Sequence, residues 1–523
     1  MLIEDLSVAV STKRTAQIEL IQSSLLPKGF ERESFAGKKA RRLGPAEIVE
    51  LQRFVTTAQR ELGVPGISIG VVQDGKVAFA GGFGVRELGK KAPVDENTLY
   101  MVASNTKPLT TLMLAKLGEE GKFSWETPVT AIYPRFKFRS TETTASIRLK
   151  HLVCACTGTP RNDWNILEIR SSTPKQKLDE LATFEPTSKL GETLHYSDLL
   201  VAAAGFIGGH AAYPELELGA AYDRAMQTRV FGPLGMTATT LDYRLALRRP
   251  NRATAHAPDR DGKQALAVME MNEVIIAQRP AGGAWSNVRD MLKYVQVELA
   301  NGNLPDGKRY VAEEPLRARR APQVSVDQHV SYGLGLWLER RYGIDFVYHG
   351  GDVVGYHSEM VWLPEHGVGA VILTNGDPGW WLCRTFRRKL LELLFDGRPE
   401  ADARVSAMAK SFYAELAEKR KLVTLPADAA AAAKLAPRYA NDELGEIAVR
   451  RNGPAVVFDF GEWKSEVASR RNPDGSVSLR PVDAGIWGFA LEFVVDDGTQ
   501  RTLKLRDEQQ LIFSNEYTFT EKK

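Results

Sequence analysis

The sequence predicts a mixed α/β (α+β) fold with a separate β-rich tail, and three observations carry that expectation. The run GISIGVVQDGKVAFAGGFG, from Gly66 to Gly84, reads as two strands around Asp74-Gly75, a pair suited to the positive φ values of a tight hairpin. Strand-like runs return at Ser331–Glu339, Phe346–Tyr348, Glu359–Leu363 and Gly369–Leu373 after a long helical and irregular middle. The two ends of the body therefore supply one sheet and the middle supplies helices. Beyond residue 435, about seven short strand-like runs separated by RNG, NPDG and DDG turns point to a small β-barrel or sandwich.

Taken in order, residues 1–45 lack a pattern and suit an N-terminal extension, with Lys38 to Arg42 as a basic stretch. A helix starts at or just after Pro45, since Ile48, Leu51, Phe54 and Val55 recur at helical spacing up to Gly63. Helical patterns follow Trp380 through Leu393 and cover Arg404 to Lys419, and alanine-rich 427–433 lies between Pro426 and Pro437 as a connector. The expected domains are a 1–45 extension, a 46–395 body, a 396–434 helical linker and a 435–523 barrel, in which Trp463, Trp487, Phe489 and Phe493 are read as core.

Composition narrows the function classes. Lys+Arg number 68 against 65 Asp+Glu, a formal charge of +3, which is too small to imply a nucleic-acid or membrane partner. The late basic cluster Arg384, Arg387, Arg388 and Lys389 is read as the wet face of a helix. No run has the roughly 18 consecutive apolar residues that span a bilayer. The N-terminus carries Glu4 and Asp5 and lacks a secretory pattern, so the chain reads as cytoplasmic as written, and as periplasmic or secreted if a leader has been removed. Cys154, Cys156 and Cys383 are read as thiols, the first two being unsuited to a bridge if their segment is extended; no metal-binding spacing occurs.

Three short segments hold residues that could do chemistry. In MVASNTKPLTTLMLAKLGEEGK, Ser104 precedes an apolar helix, so it would sit in the first turn, where free N–H groups face developing negative charge. Lys107, three residues on, can return to the serine hydroxyl. Ser172 and Lys175 share the spacing without an apolar helix behind them, and Ser104 as a plain helix cap is the competing reading. In GETLHYSDLLVAAAGFIG, Tyr196 is either a proton shuttle beside a cation or a packed aromatic, with Ser197 or Asp198 capping the helix that follows. In VYHGGDVVGYHSEM, the glycines after His349 let a ligand approach the backbone and leave N–H groups usable by an oxyanion. His195, Asp352 and Glu359 are further candidate partners, but a Ser104–His349–Asp352 triad would draw His and Asp from one tight segment, and no GxSxG elbow, HExxH, P-loop or GxGxxG fingerprint exists.

Together, SNTK (Ser104 to Lys107), YSD (Tyr196 to Asp198) and HGG (His349 to Gly351) resemble the active-site set of the serine β-lactamase and penicillin-recognising superfamily. The likeness is to the branch with class C β-lactamases, D,D-carboxypeptidases, D-aminopeptidases and family VIII-type esterases. IRLKHLVCACTGTP, PAGGAWSNVRDMLKY and VGAVILTN are similar to further segments of that family, and the likeness spans about 46–395. The resemblance implies an antiparallel sheet flanked by helices, a helical subdomain, and a lipocalin-like barrel as the tail. It also implies that Ser104 attacks and forms an acyl-enzyme, that Lys107 and Tyr196 exchange its proton, and that the N–H groups of Ser104 and Asp352 form the oxyanion hole. His349 takes the place of the usual third-motif Lys, and Gly350, Gly351 and Asp198 contact the substrate. Asp198 stands where the family has Asn, which puts β-lactam turnover in doubt and favours an amine-bearing substrate. The implied activity is hydrolysis of amide or peptide bonds, including D-amino-acid-containing ones, with carboxylic-ester hydrolysis and a non-catalytic binding or inhibitory module as alternatives. No cofactor or metal is required; the expected partner is a small molecule or short peptide, and homo-oligomerisation is left open.

Overall fold

A computed structural model describes residues 31–159, 172–442, 444–472, 475–487, 491–496, 501–507 and 516–522, together with isolated positions 18, 21, 25 and 29. Helix α1, Pro45–Leu62, begins with Pro at its first turn, is held by the Glu47 carboxylate accepting from the Gly44 N–H at 2.9 Å, and buries Leu51, Phe54, Val55, Ala58 and Leu62. The chain then enters β1 (Gly66–Gln73) and β2 (Lys76–Gly84), joined through Asp74 and Gly75 at φ 51° and 74°, the left-handed pair that the turn sequence demands.

The middle of the chain supplies α2 (Thr106–Glu119), α3 (Asp198–Ala212) and α4 (Val288–Leu299). Six further strands return to the sheet: β3 (Val324–Ser325), β4 (Val330–Tyr332), β5 (Trp337–Arg341), β6 (Ile344–Val353), β7 (Tyr356–Leu363) and β8 (Val368–Thr374). Their order is β2-β1-β8-β7-β6-β5-β4-β3, with every pairing antiparallel. The first hairpin lies at one edge and its neighbour β8 comes from almost 300 residues later in the chain, about the separation the split strand pattern implied.

Side chains alternate between two cores. Ile67, Ile69 and Val71 of β1 face α1, α5 (Gly379–Phe395) and α6 (Ala401–Lys421), while α2, α3 and α4 pack against the other face. The strip before α1 belongs to the first of these cores: Phe35 is fully buried, stacks on Phe395 at 5.1 Å between ring centroids, and donates its N–H to the Tyr342 carbonyl at 2.7 Å. From residue 31 onward, the segment expected as an extension is thus packed on the body.

Two expectations are corrected. Of the basic cluster on α5, Arg384 is exposed and Arg387 half-buried, whereas Arg388 and Lys389 are buried. Arg388 pairs with Glu33, and Lys389 with Glu50 at 2.6 Å and Asp402 at 3.0 Å, because α1, α6 and the N-terminal strip close over that face. Cys154 and Cys156 are joined in a disulfide. Their segment is not extended: Ala155 takes φ 51°, which brings the two Cα atoms to 5.1 Å and both sulfurs to one side.

After α6, the strands β9 (Arg438–Asn441), β10 (Gly445–Asn452), β11 (Ala455–Asp459), β12 (Lys464–Arg471), β13 (Val477–Pro481), β14 (Leu491–Asp496), β15 (Thr502–Asp507) and β16 (Tyr517–Glu521) form an up-and-down meander. Pairing of β9 with β16 closes it into the expected barrel, and Val423–Thr424 adds a short strand beside β12. Trp463 and Phe493 are buried in the barrel core as expected, Trp487 is instead buried outside it, against Leu416 of α6 and Val423, and Phe489 lies outside the described residues. The barrel touches the body near the β6–β7 turn, where Val268 donates its N–H to the Ala484 carbonyl at 3.2 Å and Gly485 packs against Val354.

Candidate active site

Ser104 sits in a short 3-10 turn, Ala103–Asn105, that runs directly into α2. Ala103 is held at φ 46°, a conformation rare for a residue with a Cβ, so the turn presenting the serine is constrained by its surroundings. Those surroundings are specific. The Ser358 hydroxyl of β7 donates to the Val102 carbonyl at 2.8 Å and accepts from the Asn105 amide at 2.7 Å, tying the turn to the sheet on both sides of the serine.

In the first turn of α2, the Lys107 side chain is wholly buried and its three donors are all engaged. It donates to Ser104 Oγ at 3.0 Å, to the Ala281 carbonyl at 2.9 Å, and to the Asp198 carboxylate in a short ion pair. Asp198 can reach it because Ser197, not Asp198, caps α3, its hydroxyl accepting from the Leu200 N–H at 3.3 Å. The Lys107 ammonium also lies 4.6 Å from the centroid of the Tyr196 ring, within cation–π range. Ser104, Lys107, Tyr196 and Asp198, four residues named from two separate motifs, thus meet at one point.

Strand β6 brings the third motif alongside. The β5 pairing ends at Tyr348 opposite Trp337, and among the described residues no strand pairs with 349–353 on that side. This free edge runs past Ser104. A Cβ on Gly351 would lie 2.2 Å from the Val102 carbonyl oxygen and 3.0 Å from the Ser104 nitrogen, so only glycine lets the edge come this close.

His349 is 1% exposed, and burial, followed by the Lys107 charge, lowers its imidazole from 6.5 to about 3. It is therefore neutral near pH 7. Its Nδ1 lies 2.6 Å from the Gly350 carbonyl, which can only accept, so Nδ1 carries the proton and Nε2 accepts from the Tyr332 hydroxyl at 3.1 Å.

Side chains alternate along β6, so Asp352 turns to the opposite face from Ser104. There it accepts from His357 Nδ1 at 2.6 Å, while His357 Nε2 donates to Asp377 at 2.6 Å. Burial opposes a charge on His357, but these two carboxylates overcome it and raise the imidazole to about 9, so it is an imidazolium. Glu359, opposite Gly350, is 4% exposed and pushed up to about 7 by burial, with Glu339 and Asp352 adding to the shift and Arg387 and Arg384 opposing it.

The serine opens onto a cavity of about 520 Å³ whose lining includes Ser104, Tyr196, Asp198, His349 and Gly350 on one side and Glu359, Trp380, Arg384 and Arg387 on the other. His195, a candidate partner from its position before Tyr196, does not line it. Asn105, Tyr332, His357, Ser358 and Arg384 were not singled out from sequence as site residues. Ser358 alone had a local signal, since it is two residues before Met360 and four before Trp362 on one face of a strand whose period could be read. Among the described residues no cluster of His, Cys, Asp and Glu could hold a metal ion, and no helix is long and apolar enough to cross a membrane.

Known proteins agree with this picture. A family model described as Beta-lactamase matches residues 51–391. Protein flp of Staphylococcus aureus (strain MRSA252) is 24% identical over 317 residues, covering 60% of each chain. Unguisins hydrolase ungD' of Aspergillus campestris (strain IBT 28561) is 23% identical over 326 residues, covering 60% of this chain and 58% of that protein. The matched region thus spans about three-fifths of the length of these relatives. Among solved structures, that titled as the octameric penicillin-binding protein homologue from Pyrococcus abyssi superposes with a TM-score of 0.58 at 20% identity, covering 91% of this chain and all of that one. This likeness shows a shared fold, including a barrel after the body. With its family match running from within α1 to within α5, the chain belongs to the Beta-lactamase family.

Proposed function

We propose that the protein is a serine hydrolase that cleaves amide or peptide bonds through an acyl-enzyme on Ser104. The observation that carries this reading is the contact of Lys107 Nζ with Ser104 Oγ at 3.0 Å, at the wall of a cavity that also holds Tyr196 and the free edge of β6. Because Lys107 is an ammonium donating three hydrogen bonds, the proton leaving Ser104 goes to Tyr196, whose phenolate the adjacent cation favours. Ser104 Oγ bonds to the substrate carbonyl carbon, and the N–H groups of Ser104 and Asp352 receive the oxyanion. Collapse breaks the bond to the leaving amine, which takes the proton from Tyr196. Water then repeats the sequence on the ester, with Tyr196 taking its proton and Ser104 recovering one. His349, neutral and clamped between Tyr332 and Gly350, positions the edge strand and supplies no charge.

The carboxylate of Asp198 is engaged by Lys107, so the preference for an amine-bearing substrate that its position first suggested finds no support in the geometry. Hydrolysis itself is in keeping with the name of the Aspergillus relative. Ester cleavage is the second reading, since the same acyl-enzyme forms from an easier leaving group. Turnover of D-alanyl p-nitroanilide and of p-nitrophenyl butyrate, each compared with Ser104→Ala, tests both. Anilide cleavage lost in the variant supports the amidase, ester cleavage alone moves the assignment to esterase, and equal rates in the variant overturn Ser104 as nucleophile.

A further inference from the structure

A second cavity, of about 410 Å³, lies at the seam between the body and the barrel. Seams between domains are where pockets for small molecules commonly form, and this volume is within their usual range. The walls come from four places: the short strand His256–Pro258, the start of α5 with Asp377 before it, α6 from Met408 to Lys419, and the connection between β13 and β14. That connection closes on the body because residue 485 is glycine: it takes φ 87°, and a Cβ there would lie 2.4 Å from the Val354 side chain. It presents Trp487 from a turn held within itself. The Ile486 and Trp487 N–H groups both donate to the Asp483 carbonyl at 3.0 Å, and Ser465 Oγ accepts from the Val482 and Asp483 N–H groups at 3.1 and 3.2 Å.

Rings supply much of the lining. Trp380 and Trp381 stack at 3.8 Å between ring centroids, Phe412 stands on α6, and Trp487 packs with Leu416 while the Arg480 guanidinium lies 5.9 Å from its ring centre. Trp380, Trp381 and Phe412 are only half-buried, which leaves part of three large apolar surfaces uncovered at one cavity. The charges, by contrast, are spent within the protein. Lys419 pairs with Glu415 at 2.8 Å, and Asp377 accepts from His357 at 2.6 Å. What remains for a ligand is ring surface and the donors on it. Neither Trp381 Nε1 nor Trp487 Nε1 finds an acceptor among the described residues, although a buried indole N–H ordinarily has one.

We propose that this seam is a second ligand pocket, built for a flat, uncharged aromatic molecule that carries a carbonyl oxygen. Stacking on the tryptophans and Phe412 holds the aromatic part, and the oxygen accepts from the Trp381 or Trp487 indole N–H, which supplies the acceptor each of them lacks. A charged ligand is disfavoured, since it would give up its hydration against lining charges that are already matched. The inference stands apart from the acyl-enzyme reading, because Ser104, Lys107 and Tyr196 do not line this cavity. The two cavities are nevertheless neighbours. Trp380 lines both, and Asp377, which lines this one, holds the His357 ring that also donates to Asp352. An occupant of the seam therefore touches a wall of the serine cavity.

Titration of the full chain with prodan tests this. Prodan is a neutral naphthalene bearing a propionyl and a dimethylamino group, and its emission moves to the blue when it leaves water. A saturable blue-shifted signal is expected. Ser411 is exposed on α6 and lines the cavity, so S411W fills the pocket without removing a core side chain, and it should weaken prodan by about tenfold or more. K410W, at the neighbouring exposed position outside the lining, should stay within about twofold of the unaltered protein. No saturable signal, an S411W dissociation constant within about twofold of the unaltered protein, or an equal loss in both variants overturns the pocket. The carbonyl is tested with the analogue of prodan in which a propyl group replaces the propionyl. Being the more apolar dye, it would bind more tightly to a pocket that offers no donor. Prodan is expected to bind at least as tightly, and a propyl analogue that binds more tightly than prodan overturns the role given to the indole N–H groups.

Discussion

On the face of β6 turned toward Ser104, every charge is closed. Lys107 is surrounded by three acceptors, His349 is neutral and held at both nitrogens, and Gly351 brings the strand against the nucleophile turn. On the face turned toward α5, Asp352 of β6 joins an imidazolium held between two carboxylates, a buried acid of β7 near neutrality and an arginine of α5 stacked over Trp380. The difference follows from alternation along one strand. Odd positions 349 and 351 meet the helical subdomain, where there is no room for an unmatched charge. Even positions 350 and 352 meet the open rim of α5, where solvent and ligand can complete the set. The first face is preorganised for bond breaking and the second is unfinished in the way a binding surface is.

The largest expected effect lies on the closed face. Ser104→Ala should lower kcat/KM by on the order of 10⁴-fold, and Tyr196→Phe by about 10²–10⁴-fold, both measured on p-nitrophenyl butyrate or the D-alanyl anilide. A Tyr196→Phe enzyme with full activity would remove the phenol from the proton path. Gly351→Ala drives a Cβ to 2.2 Å from the Val102 carbonyl, so it should cost about 1–3 kcal/mol in denaturant unfolding and depress kcat more than it raises KM. Equal stability and activity in that variant would mean that β6 and the nucleophile turn are not in register as described.

Asp198→Asn leaves the buried Lys107 ammonium with a neutral acceptor. It should destabilise the protein by about 1–3 kcal/mol and reduce kcat, and an unchanged protein would show that the ion pair contributes nothing to either. The expectation for the open face is a matter of pH. Because folding raises His357 from 6.5 to about 9, its contribution is fully present below pH 6.5 and is lost as pH rises through 9. Glu359, raised from 4.5 to about 7, has the same sign in a lower window, so its contribution is lost between those values. Thermal unfolding followed from pH 5 to 10 should therefore show a decline on the alkaline side that flattens between pH 6.5 and 9 in His357→Gln. A decline of the same slope in both proteins would place the titrating group elsewhere.

Much of this was legible in the chain. The hairpin at Asp74-Gly75, α1 with its buried Leu51, Phe54 and Val55, and the barrel strands all follow from local periodicity and turn chemistry, which act over a few residues. The same locality made Ser104 and Lys107 readable, because one helical turn fixes their approach. Where reading failed, the missing information was a neighbour from far away. Arg388 and Lys389 look solvent-bound on their own helix and become buried only because Glu33, Glu50 and Asp402 arrive from three other segments. Cys154 and Cys156 are too close in sequence to bridge in an extended strand, and the turn at Ala155 changes that.

The sequence by itself determined which residue types face each other within an element: the serine above its lysine, the glycines along one strand edge, and the alternating core of the barrel. Only the tertiary structure decided what those residues became. It set Asp198 against Lys107 rather than toward a ligand, made His349 neutral and His357 charged, and laid Arg384 over Trp380. The physical reason is that periodicity is a property of the backbone over a few residues, whereas burial and charge compensation depend on atoms hundreds of positions apart that only the closed fold brings within a few ångströms.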